Sequence, residues 1–403
     1  MKKTKGLDSW LERLKRLERR YYLADYQDER LRLKWLEKPP AAPFEERVFP
    51  VLPEPASIQS LLIFKPDDIG DAVQALPALV ELRKQLPKTR LFLLCQQKTA
   101  PLFERTGLLD EIVAMEVKMR GRRFPSLPLE KSLAQFSVPQ FDAAIFLRTY
   151  PVFFSYFLKI PAKAKIHPAD PRLVSDSVYR MPVTQWGETR LHQSLQLLEI
   201  VALLTRRVYT FADAVYPKMQ WNDEDRKSLS LAFVGEKPKH FFVIHPFVKD
   251  ETRRYPEEYW VPVLRYLRSK FSATPVIVGG PEDPKISGLE GMVQTQGQLN
   301  LMQTAHLISE SNAFIGNESG PAHLAAALGK PTITLMGGHS LPAEWAPLGK
   351  SLILRADVPC APCHLRTCPV YGLACLKELR PERVLPEIES FLLRHAFPTD
   401  SGI

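Results

Sequence analysis

The chain has 403 residues, 45% of them hydrophobic and 25% charged, a balance that fits two globular domains of ordinary size and excludes a disordered or fibrous chain. Its formal net charge is +9, with a pI near 9.2, which suits an anionic partner such as a nucleotide sugar, a lipid head group or lipopolysaccharide. No apolar run of about 18 residues predicts a membrane span, the first 20 residues lack the apolar core of a secretory signal, and no interleaved basic–aromatic pattern points to nucleic acid, so the expectation is a cytoplasmic protein.

In chain order, residues 7–38 read as a basic helix. Ser9 and Glu12 form a capping-box pattern, followed by Trp10, Leu14 and Leu17 at helical spacing among Lys15, Arg16, Arg19 and Arg20. Such a helix would lie on an anionic membrane surface, or pack on its own domain or a second copy. "PPAAPFEERVFPVLPEP" then breaks the helix, and residues 1–56 are taken as an extension with a linker.

Residues 57–215 are read as a first α/β domain. "SLLIF", "RLFLLC" and "FDAAIFL" are short apolar runs of strand length, and the helix after "KPDDIGD" is marked by Val73, Leu76, Leu79, Val80 and Leu82. "VKMRGRRF" places Lys118, Arg120, Arg122 and Arg123 beside a glycine, either as a solvated loop or as a site for an acceptor's phosphate or carboxylate. "ETRLHQSLQLLEIVALL" is helical. Residues 216–403 repeat the alternation: strands in "KHFFVIHPF", "ATPVIVGG", "AFIGN" and "KPTITLMGG", helices in "PEEYWVPVLRYLRSKF", "NLMQTAHLISESN" and "GPAHLAAALG". Two such halves predict two Rossmann-like domains facing a central cleft, with the terminal helix "PERVLPEIESFLLRHAF" returning to the first.

Four stretches carry candidate chemistry. "NESGPAHLAAALG" is a strand-to-helix turn whose amides, with Glu318, Ser319, Gly320 and His323, would receive an anion at a helix start. "HPFVKDETRRYP" offers Lys249, Arg253 and Arg254 to a departing diphosphate. "GGPEDPK" offers Glu282, with Asp283 as runner-up, to ribose hydroxyls. "DDIGD" sets Asp71 at a strand-to-helix turn, as a base for an acceptor hydroxyl or as a helix cap. Cys360, Cys363, Cys368 and Cys375 cluster in "CAPCHLRTCPVYGLACL", read either as a cage for structural zinc or iron or as reduced thiols in a packed loop.

Taken in order, "IGDAVQALPALVELRKQLP", "HP…RRYPEEYW", "VIVGGPED", "GNESGPAHLAAALGKPTITLMGG" and "CAPC…C…CL…RPERV" resemble the motifs of the glycosyltransferase family 9 heptosyltransferases, over residues 58 to 392. The resemblance implies a GT-B fold and inverting transfer of heptose from ADP-L-glycero-β-D-manno-heptose to an anionic glycolipid acceptor, the lipopolysaccharide core, with no cofactor for catalysis. It implies a peripheral place on the cytoplasmic face of the inner membrane. By resemblance Asp71 is the general base, Arg253 stands where the family has a phosphate-binding lysine, Tyr255 where it has tryptophan, and Glu318 where it has aspartate. Ser319, Gly320 and His323 complete that motif, and Glu282 is the ribose ligand. The substitutions at 253 and 318 keep the charge but alter reach and geometry. They leave open a related transferase using another nucleotide sugar or a protein acceptor, or a non-catalytic nucleotide-sugar-binding scaffold.

Overall fold

The computed structural model describes residues 53–120, 124–148, 153–167, 178–180, 192–369 and 372–397. The basic extension and most of its linker lie outside them, as do Arg122 and Arg123. Two six-stranded parallel sheets form the frame. The first contains β1 (Ser60–Lys65), β2 (Arg90–Gln96), β3 (Glu111–Met115), β6 (Phe141–Phe146), β7 (Ala162–His167) and β8 (Val178–Arg180), in the order β3-β2-β1-β6-β7-β8. A small antiparallel hairpin, β4 (Lys118–Arg120) with β5 (Phe124–Ser126), stands outside that sheet. The second sheet contains β9 (Phe241–His245), β10 (Thr274–Ile277), β11 (Val293–Gln294), β12 (Ala313–Asn317), β13 (Thr332–Leu335) and β14 (Ser351–Leu354), in the order β11-β10-β9-β12-β13-β14.

Both sheets therefore run third, second, first, fourth, fifth, sixth along their own strands, the doubly wound order. In each, the direction of winding reverses between the first strand and the fourth. Loops leaving those two strands diverge and open a crevice at their carboxyl ends. The expected strands all form. Those at 111–115 and 351–354, with the short apolar runs "IVAM" and "LIL", and that at 162–167 were not anticipated; "AKAKIH" alternates small or apolar residues with lysine, as a strand near a sheet edge does.

The helices that matter for the site are α1 (Ile69–Gln74), α2 (Leu76–Gln85), α3 (Gln193–Thr205), α4 (Glu257–Phe271), α5 (Leu301–Glu310), α6 (Gly320–Ala327) and α7 (Pro381–His395). Apolar side chains cover both faces of each sheet. On the first sheet, Leu61, Ile63, Leu91 and Leu93 pack with α2 and α3, while Leu62, Phe64, Phe92 and Phe146 fill an aromatic layer on the other face. Met302, Ala305 and Leu324, from α5 and α6 of the second lobe, join the first of these clusters, so the two lobes share a continuous apolar contact. Arg105 pairs with Asp225 at 2.6 Å across the same boundary.

The terminal helix does not behave as expected. Val384, Ile388, Phe391 and Leu392 of α7 belong to the second lobe's own core, with Trp260, Leu264 and Leu354. Its apolar stripe is used up against α4 and β14, leaving no comparable face for the first domain.

Candidate active site

The first lobe contributes the turn between β1 and α1. Asp68 is the N-cap residue of α1 and Asp71 lies in its first turn. The capping alternative for Asp71 is therefore not realised: it sits inside the helix, partly buried, at the third helical position. Behind it, Lys65 and Asp67 are 2% and 3% exposed. Lys65 Nζ lies 2.7 Å from Asp67 Oδ2, and Arg148, just past β6, pairs with Asp67 Oδ1. This cluster joins the carboxyl ends of β1 and β6, the strands flanking the crevice. Burial alone would raise the Asp67 carboxyl, but Arg148 and Lys65 outweigh it and hold it below the ordinary value. Burial, with the Asp67 charge next, raises Asp71 against the opposing pull of Lys65 and Arg148. A carboxylate so placed is a stronger base than one in water.

The second lobe contributes the turn between β12 and α6. Asn317, Glu318 and Ser319 are 0%, 3% and 6% exposed. Asn317 Oδ1 accepts from the Tyr255 amide at 3.0 Å and its Nδ2 donates to Pro246 O at 2.5 Å, which ties the end of β12 to the loop after β9. His245, at the end of β9, shares a hydrogen bond of 3.1 Å between its Nδ1 and Ser319 Oγ. Burial pushes His245 down to about 4, so it is neutral at physiological pH. Ser319 is the N-cap residue of α6 but caps no amide with its side chain. Pro321 has no N–H and the Ala322 amide donates to Ser319 O at 3.1 Å, so the Gly320 amide is the one left at the start of α6 for a ligand or water.

Arg253 reaches this turn as expected. Its Nη2 donates to Glu318 O at 2.6 Å, and its Nε lies 3.8 Å from Glu318 Oε2. Both Nε and Oε2 are buried and hydrogen-bonded to nothing among the described residues, a donor and an acceptor side by side. Arg254 does not join it. It is exposed, and its guanidinium folds back to Val248 O at 3.0 and 2.6 Å, because the loop's own carbonyls are its nearest acceptors. Lys249 is also exposed. Glu282 is exposed at the rim, whereas Asp283 turns inward and accepts from the Gly280 amide at 2.7 Å. Lys118 stands exposed on the β4–β5 hairpin, 3.3 Å from Glu116; Arg120 shares that hairpin through its backbone.

The cysteine loop braces the arginine loop. The Cys363 amide donates to Gly338 O at 2.7 Å, the Cys368 amide to Glu251 Oε2 at 3.1 Å, and the Thr252 amide to Arg366 O at 3.3 Å. Arg366 pairs with Asp250 at 3.1 Å, and Asp250 lies 3.7 Å from Arg253. All five cysteines are free thiols, and burial pushes Cys363 up to about 11. Among the described residues, no three His, Cys, Asp or Glu side chains are grouped to hold a metal ion. The structure therefore lends no support to the metal cage read as one alternative; the four cysteines lie together in the loop that packs on residues 250–253.

The two turns meet. A Cβ built on Gly70 would lie 3.4 Å from His323 Cδ2 and 3.6 Å from Gly320 Cα; one on Gly320 would lie 3.0 Å from Ile69 Cβ and 3.2 Å from the Gly70 nitrogen. Glycine at both positions lets α1 and α6 approach with their N-terminal turns in contact. Asp71 follows Gly70 directly, so its backbone adjoins this contact, and its carboxyl shares the first lobe's charge cluster of Asp67, Lys65 and Arg148. His323, 2% exposed, binds Gln74 of α1 through Nδ1 at 3.0 Å. The residues not anticipated from sequence are Lys65, Asp67, Arg148, Gln74 and Ser194. Lys65, Arg148 and Gln74 stand as charge or amide at the ends of or within apolar runs, whereas Asp67 and Ser194 carried no signal of their own.

Residues 182–373 match the sequence model of glycosyltransferase family 9 (heptosyltransferase). That span, a little under half of the chain, is what is similar to the family. It is 28% identical to lipopolysaccharide heptosyltransferase 1 of Pseudomonas aeruginosa over 162 residues, 35% of this chain and 45% of that relative. Alignments to this protein and to two Campylobacter jejuni lipooligosaccharide heptosyltransferases span at most 45% of those relatives' length. Among solved structures, a glycosyl transferase family 9 protein of Veillonella parvula superposes with a TM-score of 0.67 at 18% identity, covering 85% of this chain and 99% of the other. Escherichia coli ADP-heptose lps heptosyltransferase II superposes with a TM-score of 0.61 at 18% identity, covering 83% and 99%. At such identities the likeness speaks for the fold, and the fold is GT-B. No described helix is long and apolar enough to cross a membrane.

Proposed function

We propose that this chain is an inverting glycosyltransferase that moves heptose from ADP-L-glycero-β-D-manno-heptose to a hydroxyl of the lipopolysaccharide core. The observation that supports the reading is the contact of the two helix starts at Gly70 and Gly320, with Asp71 the next residue in the chain after Gly70. The match to the family model supports the reaction class, and the ADP-heptose named for the structural relative supports the donor.

In this reading the diphosphate of the donor lies against the Gly320 amide at the start of α6, with the Arg253 guanidinium holding the charge that develops as ADP leaves. Glu318 keeps Arg253 in place through its carbonyl. Asp71 takes the proton from the acceptor hydroxyl. That oxygen forms the new bond to the anomeric carbon from the face opposite the departing ADP, and the bond to the diphosphate oxygen breaks with its electrons staying on ADP. Inversion follows from that geometry. Asp283, turned inward, is a better-placed ribose ligand than the exposed Glu282. The β4–β5 hairpin with Lys118 and Arg120 is the candidate edge for an anionic glycolipid, which brings the enzyme to the cytoplasmic face of the inner membrane.

The test is a panel of nucleotide sugars offered with either lipid-linked core or candidate protein acceptors, read by released nucleotide and product mass. The reading expects ADP release and a heptose-sized mass gain only with ADP-heptose and the core acceptor. Donor binding without turnover on any acceptor would make the chain a scaffold, and turnover with a different sugar or a protein would replace the proposed substrates.

A further inference from the structure

Direction in a buried hydrogen-bond network follows from what each group is able to donate. Ser194, at the start of α3, is 0% exposed, and its hydroxyl donates to Gln74 Oε1. Gln74 is itself 0% exposed, on α1. With its amide oxygen occupied as an acceptor, the amide nitrogen is the atom that faces His323 Nδ1, at 3.0 Å. An amide nitrogen is a donor only. Nδ1 must therefore accept, and a hydrogen on it would point at another hydrogen. Burial, reinforced by His192 and Arg253, pushes the ring down to about 3, so it is neutral at working pH. A neutral imidazole with a bare Nδ1 carries its proton on Nε2.

The other edge of the ring lies at the contact between α1 and α6. Cδ2, bonded to Nε2, lies 3.4 Å from the Cβ position of Gly70, the residue before Asp71. Nε2 has no hydrogen-bond partner in the protein among the described residues. Gln74 belongs to the first lobe and His323 to the second, so the bond that sets the ring crosses the lobe boundary.

We propose that Gln74 is a positioning residue. Held by Ser194, it fixes His323 as the Nε2–H tautomer, so that the ring offers a hydrogen-bond donor to the diphosphate of the nucleotide sugar, and only while the lobes are together. The inference rests on the reading of the crevice as the donor site. The opposite tautomer would turn a lone pair toward the phosphate oxygens, which repels rather than binds. Separating the lobes would remove the Gln74 amide and free the ring to take either form, so donor grip and lobe contact are coupled.

The experiment uses the full chain labelled with 15N-histidine, with the His323 signals identified by their loss in His323→Ala, and ADP affinity measured in parallel. The wild type is expected to show His323 with a protonated Nε2 and an unprotonated Nδ1. Gln74→Leu removes the amide, and the pattern should collapse to a mixture while ADP affinity falls about tenfold, the cost of one hydrogen bond to a charged group. Ser194→Ala leaves Gln74 in place but frees its amide to flip, and should produce the same tautomer mixture should Gln74→Leu fold poorly. In the His323→Ala background, Gln74→Leu should cost no further ADP affinity. A wild-type ring protonated on Nδ1 would overturn the proposal. So would an equal loss of ADP affinity from Gln74→Leu with and without His323, the behaviour of a residue that only holds the fold. A wild type with the expected spectrum that binds no ADP would overturn the donor reading, and with it the role given to Nε2–H. The spectrum alone tells that case from a wrong tautomer.

Discussion

Gly320→Ala isolates the contact between the lobes from the recognition of phosphate. The added methyl would lie 3.0 Å from both Cβ and Cγ2 of Ile69 and 3.2 Å from the Gly70 nitrogen. Carbon atoms pack at about 3.5–4.0 Å, so the turn must open by roughly half an ångström. Neither neighbour yields easily: one is backbone and the other a branched carbon next to it. Overpacking of this kind costs about 1–3 kcal/mol, and the midpoint of thermal unfolding should fall by a few degrees. The displaced segment carries Asp71. A misplacement of about 1 Å costs a reaction on the order of a hundredfold, so half of that should lower kcat about tenfold. The amide at 320 survives the substitution, so ADP affinity should change little. The assay compares kcat at saturating donor with ADP affinity by calorimetry and with Tm. Adding Ile69→Ala removes Cγ2 and should restore part of the loss. Unchanged kcat and Tm would refute the reasoning, as would a loss confined to ADP binding.

Arg253→Ala leaves Glu318, 3% exposed, without its cation. The loss should be on the order of 2 kcal/mol of stability, below that of a fully buried pair because the arginine side chain is 26% exposed. ADP affinity should fall by more than about tenfold; Arg253→Lys should recover the stability more fully than the affinity. Unchanged ADP affinity in Arg253→Ala would remove this residue from the diphosphate site. Acid should also weaken the fold. His323 and His245 have folded values of about 3 and 4, below the free value of 6.5, so the unfolded chain takes protons first and stability present above pH 6.5 is lost as pH falls. At pH 5 His323 alone should cost about 2 kcal/mol. Asp71, raised in the fold, acts in the opposite sense and offsets part of it. A Tm that stays level between pH 7 and pH 5, in wild type and in Asp71→Asn alike, would contradict the neutral buried histidines.

The parts of the site legible in the sequence are those set by local order. "AFIGNESGPAHL" is strand, turn and helix within one short stretch, so the turn proposed to bind the anion can be read directly. Asp71, in the first turn of α1, and Arg253 both follow strand exits, and the doubly wound sheets bring such segments to the crevice wherever β1, β6, β9 and β12 end. What the sequence hid depends on distance along the chain. Asp67 meets Arg148 81 positions away, and Gln74 meets His323 249 positions away. The direction of Arg254 was hidden for the opposite reason: adjacent arginines leave a loop on different sides, and only the fold of that loop decides which of them faces the ligand. Likewise Asp283 rather than Glu282 turns inward because the 279–283 loop closes on its own Gly280 amide. The terminal helix α7 reads as amphipathic, but its stripe does not name the surface it covers, and β14 with α4 was the nearer one.

The transfer reaction itself gives the most direct test. With ADP-heptose and a lipopolysaccharide core acceptor, product should be followed by mass for the wild type and for Asp71→Asn, alongside donor affinity. Asp71→Asn should keep its grip on the donor and lose about a hundredfold or more in turnover, the usual scale for a missing general base. Turnover at the wild-type rate would show that this carboxylate does not activate the acceptor, and the assignment of the crevice as the reaction centre would fall with it.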